Sequence, residues 1–250
     1  MSGLPKAILF DLDDTILSAY GQPHLAWTRI AAEQADNLGG LDVPALIAML
    51  AQVGRRFWNE SMPEVQKYWR LNLPEARRAV VRRAFEHMAE AGHAMPALEA
   101  ADAMADRFTE MRREEMHLFP GALETIDALR QTDVKLALIT NGAALTQRAK
   151  VERFDLAHRF HHIQIEGEHG FGKPEEQAYR HAMEVLEVSP AQTWMVGDNL
   201  EWEVVVPQRL GIHAIWCDPY RQGLPADCGI QPDRIINSLP ELLAGVKKAA

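Results

Sequence analysis

The chain has 250 residues, which is long enough for one large domain or for a domain with a smaller insert. A formal net charge of −9 argues against binding to nucleic acid or to an anionic membrane surface, but it allows a small phosphorylated ligand held by local cations. No stretch approaches the roughly 20 apolar residues of a membrane helix, and the apolar run near the N-terminus is too short for a signal peptide. The two cysteines, Cys217 and Cys228, favour reduced thiols, so we expect a cytoplasmic protein.

The first predicted element is the apolar run AILF at residues 7–10, which is typical of a buried strand. Three carboxylates follow it almost directly: Asp11, Asp13 and Asp14. Because unpaired buried charge is costly, we expect these acids at an exposed strand end, beside a cation or hydrogen-bond donors. A calcium-binding loop is excluded, since its positions six and twelve would be Ile16 and Gln22 instead of Gly and Glu.

Residues 18–117 are rich in Ala, Glu, Arg and Met and poor in β-branched residues, which predicts a helical domain of four or five helices. Basic side chains on such a domain are expected to form a solvated face interleaved with acids. As an alternative, one or two of them read a second anionic group of a ligand, while neighbouring aromatic rings stack on a base or sugar. The side chains concerned are Arg55, Arg56, Lys67, Phe57, Trp58, Tyr68 and Trp69.

The rest of the chain alternates between short apolar runs and amphipathic stretches. The predicted strands are 7–10, 134–140, 161–166, 193–198, 213–217 and 234–237. The predicted helices are 122–131, 145–154, 175–187 and 241–248. This alternation indicates an α/β fold with a doubly wound parallel sheet. We therefore expect residues 1–17 and 118–250 to form a Rossmann-like core domain, with residues 18–117 inserted after its first strand as a helical cap.

Polar side chains follow four of the predicted strands, at the edge where ligands bind to parallel sheets. They are Asp11, Asp13 and Thr15, then Thr140, Asn141 and Gly142, then Lys173, and finally Asp198. If the strands are neighbours, these acids, hydroxyl, amide and lysine converge on one cleft. Phosphoryl transfer needs a nucleophile, an acid for the leaving oxygen and positive charge around the phosphoryl oxygens, and this set can supply all three.

Four motifs occur in the order DLDDT, LITNG, GKP and VGDNLEWE, and they resemble the four motifs of the haloacid-dehalogenase-like (HAD) superfamily. The resemblance spans the whole chain. The position of the helical cap, directly after the first motif, is similar to subfamily I. The resemblance implies a Mg²⁺-dependent phosphatase that hydrolyses a small phosphorylated metabolite through an aspartyl-phosphate.

The resemblance also implies a role for each motif residue. Asp11 would be the nucleophile, Asp13 the general acid and base, and Lys173 the cation that neutralises both the phosphate and Asp11. The phosphoryl oxygens would be bound by Thr140, Asn141, Gly142 and Lys173. Mg²⁺ would be held by Asp11, Asp198 and the backbone carbonyl of Asp13, with Thr15 and Glu203 supporting these groups. Asp14 is expected to face away from the reacting phosphate.

The fourth motif departs from the family pattern. The family commonly has a second acid, usually Asp, at the position of Glu203, five residues after Asp198. Glu201 is also within reach by sequence, so either glutamate could orient metal-bound water or pair with Lys173. Pro207 lies in the helix expected next, where its missing N–H would kink the helix or delay its start.

Several histidines raise the question of a second metal site. His161 and His162 are adjacent on a predicted strand, so their side chains point to opposite faces and cannot readily share one metal. Together with His169 and His213, they are interpreted as structural residues.

Other functions use similar residues. A phosphomutase would use the same set, whereas a dehalogenase would need neither Asp13 nor a metal. A receiver-like signalling module is about half this length, and its acids precede its Thr and Lys, whereas Asp198 follows them here. A non-catalytic binding module would not need both Asp11 and Asp13. The sequence does not indicate the natural substrate or the oligomeric state.

Overall fold

The computed structural model describes residues 3–244. The described residues up to Ala19 and from His117 onward form one compact unit, and Tyr20–Met116 form a second. The boundaries of the inserted unit thus lie at 19/20 and 116/117, where the sequence placed them at 17/18 and 117/118. We call the two parts the sheet unit and the helical unit.

The sheet unit contains eight strands over the described residues. They are β1 (Ala7–Phe10), β2 (Leu17–Ser18), β3 (His117–Leu118), β4 (Lys135–Thr140), β5 (His162–Ile165), β6 (Thr193–Gly197), β7 (His213–Cys217) and β8 (Arg234–Ile236). Six of them form one parallel sheet in the order β5-β4-β1-β6-β7-β8. These six are the strands that the apolar runs predicted, and the α/β fold class is confirmed.

Strand β1 is central because it pairs with β4 on one side and β6 on the other. Ala7 lies opposite Lys135 and Thr193, and the register continues to Phe10. All four β1 side chains are fully buried, which explains why the run is apolar without alternation. The carboxyl ends of β4, β1 and β6 therefore meet at one edge of the sheet.

Helices connect the strands of the sheet unit. They are α6 (Ala122–Arg130), α7 (Ala144–Arg153), α8 (Glu166–His169), α9 (Glu176–Leu186) and α10 (Val206–Arg209). A wide helical turn, Leu200–Val205, precedes α10, and Pro207 lies in the first turn of α10, so the proline does delay the regular helix. The helix predicted over 241–248 is replaced by a 3₁₀ turn at Leu239–Leu243, and residues 245–248 of that prediction lie outside the described residues.

The helical unit has five helices over the described residues. They are α1 (Pro23–Glu33), α2 (Val43–Asn59), α3 (Pro63–Leu71), α4 (Leu73–Glu90) and α5 (Leu98–Glu115). Prolines lie in the first turn of α1 to α4, where the missing N–H removes no helical hydrogen bond. Basic side chains of α4 pair with acids of α5, as Arg78 does with Asp106 and Arg82 with Asp102. These two arginines are thus interleaved with acids, as expected.

Strands β2 and β3 form a two-stranded antiparallel ribbon that the sequence analysis did not predict. Each strand has two residues, which is too short to produce a recognisable alternation. The chain leaves the sheet unit after β2 and returns at β3. Over residues 3–244, no helix combines the length and apolar character needed to cross a membrane.

Candidate active site

Asp11 extends strand β1 by one hydrogen bond. Its backbone N–H donates to the carbonyl of Val196 at 2.9 Å, and its side chain is 10% exposed. The parallel pairing with β6 therefore fixes the direction in which the carboxylate leaves the sheet edge. Its two neighbours in the chain, Phe10 and Leu12, are both fully buried, so the acid is flanked by apolar side chains.

Lys173 joins Asp11 to Glu203. Its Nζ contacts Asp11 Oδ1 and lies 2.8 Å from Glu203 Oε1, and the Lys173 and Glu203 side chains are each 1% exposed. Burial acts to lower the pKa of Lys173, but the charges and hydrogen bonds of the two carboxylates outweigh it and raise the pKa. The lysine therefore carries a permanent positive charge at the end of β1.

The side chain of Asn141 fixes the backbone of Lys173. Asn141 Nδ2 donates to the Lys173 carbonyl at 2.6 Å, and Asn141 Oδ1 accepts from the Lys173 N–H at 2.8 Å. The peptide bond between Lys173 and Pro174 is cis. A Cβ on Gly172 would lie 2.6 Å from Asn141 Oδ1, which explains the glycine before the lysine. The sequence predicted that this amide binds a ligand, and the structure shows it joining the second and third motifs.

Thr140 and Gly142 surround this link at the end of β4. Thr140 Oγ1 accepts a hydrogen bond from Gln147 Nε2 at 2.5 Å, which leaves the hydroxyl proton for donation to another group. The Gly142 N–H donates to Glu166 Oε2 at 3.0 Å, and its φ of 119° is a value that side chains rarely allow. In this arrangement Gly142 shapes the loop and binds α8.

Asp13 contacts two side chains of helix α7 that the sequence analysis missed. Both of its carboxylate oxygens lie 2.7 Å from Lys150 Nζ, and Gln147 Nε2 donates to Oδ2 at 3.0 Å. The Lys150 and Asp13 side chains are only 6% and 14% exposed. Gln147 and Lys150 are three residues apart, on one face of α7. The spacing of these two polar residues, on a helix expected to cover the sheet, was the sequence feature that could have indicated the contact with Asp13.

The fourth motif brings two acids to the same edge. Asp198 follows β6, and burial raises its pKa well above the usual value, with further contributions from the charges of Asp11 and Glu203. Burial likewise raises the pKa of Glu203 to about 7, opposed by Lys173. Glu203 Oε2 accepts from the Asn199 N–H at 2.7 Å, whereas Glu201 is exposed and lies 3.9 Å from Arg209. Of the two glutamates left open by the sequence, Glu203 is the one beside Lys173.

Asp14 and Thr15 complete the first motif. Asp14 has φ 59°, and its Oδ1 accepts hydrogen bonds from the Ala19 N–H at 2.9 Å and the Tyr220 hydroxyl at 2.8 Å. It is nevertheless buried, and its charge contributes to the raised pKa of Asp198. Thr15 Oγ1 is buried and has no hydrogen-bond partner within residues 3–244.

The donor set suits a hard divalent cation. The described part of this edge holds five carboxylates and two ammonium groups, so negative charge is in surplus. The carboxylates are Asp11, Asp13, Asp14, Asp198 and Glu203, and the ammonium groups belong to Lys150 and Lys173. Oxygen ligands of this kind, at a site that also needs neutralisation, fit Mg²⁺. Burial is the largest cause of the raised pKa of Asp198, and the charges of Asp11, Glu203 and Asp14 raise it further.

Comparison with known proteins identifies the family. Residues 5–205 match the family described as haloacid dehalogenase-like hydrolase. The chain belongs to this family. Residues 170–242 also match a model described as HAD-hydrolase-like.

Individual relatives of this haloacid dehalogenase-like hydrolase cover nearly its whole length. A phosphoserine phosphatase from Thermus thermophilus is 32% identical over 257 residues, which cover 95% of this chain and 97% of the relative. A ribulose-1,5-bisphosphate 5-phosphatase from Halopiger xanaduensis is 28% identical over 245 residues, covering 96% and 98%. Among solved structures, the magnesium-bound HAD-hydrolase YfnB from Bacillus subtilis has a TM-score of 0.68 at 24% identity, covering 97% of this chain and 98% of that chain. The last likeness establishes the shared fold.

Gly197 gives a direct test of how Glu203 is seated. A Cβ at this position would lie within 3.0 Å of three carbons of the Glu203 side chain. We expect Gly197→Ala to displace Glu203 from Lys173 and to lower the free energy of unfolding by about 1–3 kcal/mol, measured by thermal unfolding. The control is Gly54→Ala in helix α2, where nothing lies within 4 Å of the added carbon, so the expected change is neutral or slightly stabilising. Equal effects of both substitutions would contradict the packing argument.

The contact between Lys150 and Asp13 gives a second test in this hydrolase. Lys150→Met leaves a largely buried carboxylate without its ammonium partner, so we expect a loss of about 2–4 kcal/mol in the free energy of unfolding. Combining Lys150→Met with Asp13→Asn should restore part of that loss. A double-mutant cycle measured by chemical unfolding should give a coupling energy of about 1–3 kcal/mol. Additive effects would show that the two groups do not interact.

Proposed function

We propose that this protein is a Mg²⁺-dependent phosphatase that hydrolyses a small phosphorylated metabolite through an aspartyl-phosphate on Asp11. The observation that carries the proposal is the buried contact of Asp11 with Lys173 at a sheet edge where Asp198 and Glu203 interact electrostatically with the same carboxylate. The names of its relatives support the substrate class, since the two described above act on phosphoserine and on ribulose 1,5-bisphosphate.

The proposed reaction has two displacement steps. In the first, an oxygen of Asp11 attacks the phosphorus, the ester bond to the substrate oxygen breaks, and Asp13 gives that leaving oxygen its proton. In the second, the Asp13 carboxylate takes a proton from water as the water oxygen attacks the phosphorus. The bond between Asp11 and phosphorus then breaks, which releases inorganic phosphate and restores the Asp11 carboxylate and the protonated Asp13.

The other residues of the site position and neutralise these groups. We propose that Asp11, Asp198 and the backbone carbonyl of Asp13 hold Mg²⁺, which would supply positive charge beside the phosphoryl oxygens. Lys173 neutralises the same oxygens and opposes the rise in the pKa of Asp11 that burial causes. The Thr140 hydroxyl donates a hydrogen bond to the phosphate.

Four further residues support those that contact the phosphate and Mg²⁺. Asn141 contributes to phosphate binding, and its side chain also holds Lys173 in place. Gly142 gives the loop its turn, Glu203 orients Lys173, and Thr15 supports the first motif from its buried position.

Removing the nucleophile tests the proposal most directly. Asp11→Asn keeps the size and burial of the side chain but removes its nucleophilic charge, so we expect hydrolysis of a generic aryl phosphate to fall by about 1,000-fold or more. The measurement is the steady-state rate with Mg²⁺ present. Glu201→Gln, an exposed acid on the turn that carries Glu203, should remain within twofold of the unsubstituted enzyme. Activity of Asp11→Asn within tenfold would refute the assignment.

The surplus of negative charge predicts that a substitution at Asp198 stabilises the metal-free protein. Asp198→Asn removes one of several interacting carboxylates, so we expect the metal-free protein to gain about 1–2 kcal/mol in free energy of unfolding while losing activity. Mg²⁺ should raise the melting temperature of the unsubstituted protein, and this increase should largely disappear in the variant. A similar Mg²⁺-dependent increase in both proteins would place the cation elsewhere.

The substrate is best approached by comparing catalytic efficiencies across phosphorylated metabolites. Phosphoserine, ribulose 1,5-bisphosphate, glyceraldehyde 3-phosphate and pyrimidine 5′-nucleotides are rational first compounds, because relatives are named for them. Analysis of the products separates hydrolysis, which releases inorganic phosphate, from transfer to another hydroxyl group, as in a phosphomutase.

A further inference from the structure

Three histidines from consecutive elements meet at the β5 edge of the sheet. His162 begins β5, His169 ends α8, and His181 lies in α9. One ring nitrogen of each lies within 4.8 Å of one ring nitrogen of each of the others. The ring centroids are 5.9, 5.4 and 5.3 Å apart, and all three side chains are half-buried. We call these residues the histidine triad.

Hydrogen bonds fix the orientation of two of the three rings in the triad. His169 Nδ1 lies 3.1 Å from the Ile165 carbonyl, and His181 Nδ1 lies 2.8 Å from Gln164 Oε1. Gln164 is itself fixed, since its Nε2 donates to the Ala178 carbonyl at 2.9 Å. Because both partners of the histidines are acceptors, each ring carries its proton on Nδ1 and leaves Nε2 as a ligand.

His162 carries the observation that a packed histidine cluster does not explain. Its Nε2 is buried and has no hydrogen-bond partner within residues 3–244. A buried polar atom of this kind is normally paired, so an orphaned nitrogen beside two oriented imidazoles points to a bound group.

The chemistry of the triad selects the metal. Imidazole nitrogens suit Zn²⁺ and related transition metals, whereas Mg²⁺ prefers oxygen ligands. The nearby acids of α8 are engaged elsewhere, since Glu166 accepts from the Gly142 N–H and Glu168 pairs with Arg148. We propose that His162, His169 and His181 form a second metal site, for Zn²⁺ or a similar borderline transition-metal ion, distinct from the Mg²⁺ site at Asp11 and Asp198.

The proposal departs from the sequence interpretation, which treated His162 and His169 as structural residues. His161 does point away from His162, as the strand geometry predicted, and it contacts Arg130 and the Leu136 N–H. The histidines beside His162 lie in α8 and α9. The amphipathic pattern of residues 175–187 did not distinguish His181 from the other polar positions of that helix. Metal binding would tie β5, α8 and α9 together, and α8 also supplies Glu166 to the loop at Gly142.

The test uses the full-length protein carrying Asp198→Asn, with excess Mg²⁺, so that the acidic site does not compete for Zn²⁺. We expect isothermal titration calorimetry to show one equivalent of Zn²⁺ bound. His181→Gln and His169→Gln should each weaken this binding by at least about tenfold. X-ray absorption of the complex should show nitrogen ligands at about 2.0–2.1 Å. His161→Gln, at the residue directly before β5 and in contact with Arg130 and the Leu136 N–H, is the matched control and should bind Zn²⁺ unchanged.

Two results would overturn the proposal. One is no calorimetric binding of Zn²⁺ at 100 μM to the Asp198→Asn protein, and the other is unchanged affinity in both triad variants. Circular dichroism checks that each variant is folded. In a background with intact Asp198, phosphatase activity with Mg²⁺ should survive both triad substitutions, so failure of this proposal is distinguishable from failure of the proposed function.

Discussion

The ammonium group of Lys173 is held between two carboxylates where almost no side-chain surface reaches solvent. Neither charge type is stable alone in such surroundings, because desolvation penalises each of them. Together they join three segments that are far apart in the chain: the end of β1, the loop that carries Lys173 and the turn after β6. The order of the strands makes this possible, since β1 lies between β4 and β6 and all three end at one edge.

The same edge holds more negative charge than its lysines balance, and this is unfavourable for folding. Burial and mutual repulsion raise the pKa values of Asp11, Asp198 and Glu203, which is the signature of carboxylates forced together. Such an arrangement persists where binding of a cation and substrate is selected over maximal stability. The packed apolar strand beneath, with every β1 side chain fully buried, supplies the compensating stability.

The sequence predicted the parallel strands because buried strands of this kind are continuously apolar, and it placed the motif residues because they follow those strands. It did not predict which polar side chains pair. Asn141 was predicted to bind phosphate, and its link to the Lys173 backbone was not foreseen; nor was the contact of Lys150 with Asp13. Periodicity reports which face of an element is covered, whereas hydrogen-bond partners depend on the packing of helix against strand. The choice between Glu201 and Glu203 was open because the wide turn at Leu200–Val205 has no regular period.

The ribbon of β2 and β3 fixes the two points at which the helical unit joins the sheet unit. Ser18 is paired directly with His117, so the chain departs from the sheet unit and rejoins it at two points one strand spacing apart, about 5 Å. A tight reverse turn could close that distance without stretching the sheet. The distance between these two points therefore does not depend on the length of the inserted segment, which here comprises the 97 residues from Tyr20 to Met116. The contacts of Lys173 with Asp11 and Glu203 all lie within the sheet unit, so a different segment joined to β2 and β3 would leave their partners in place.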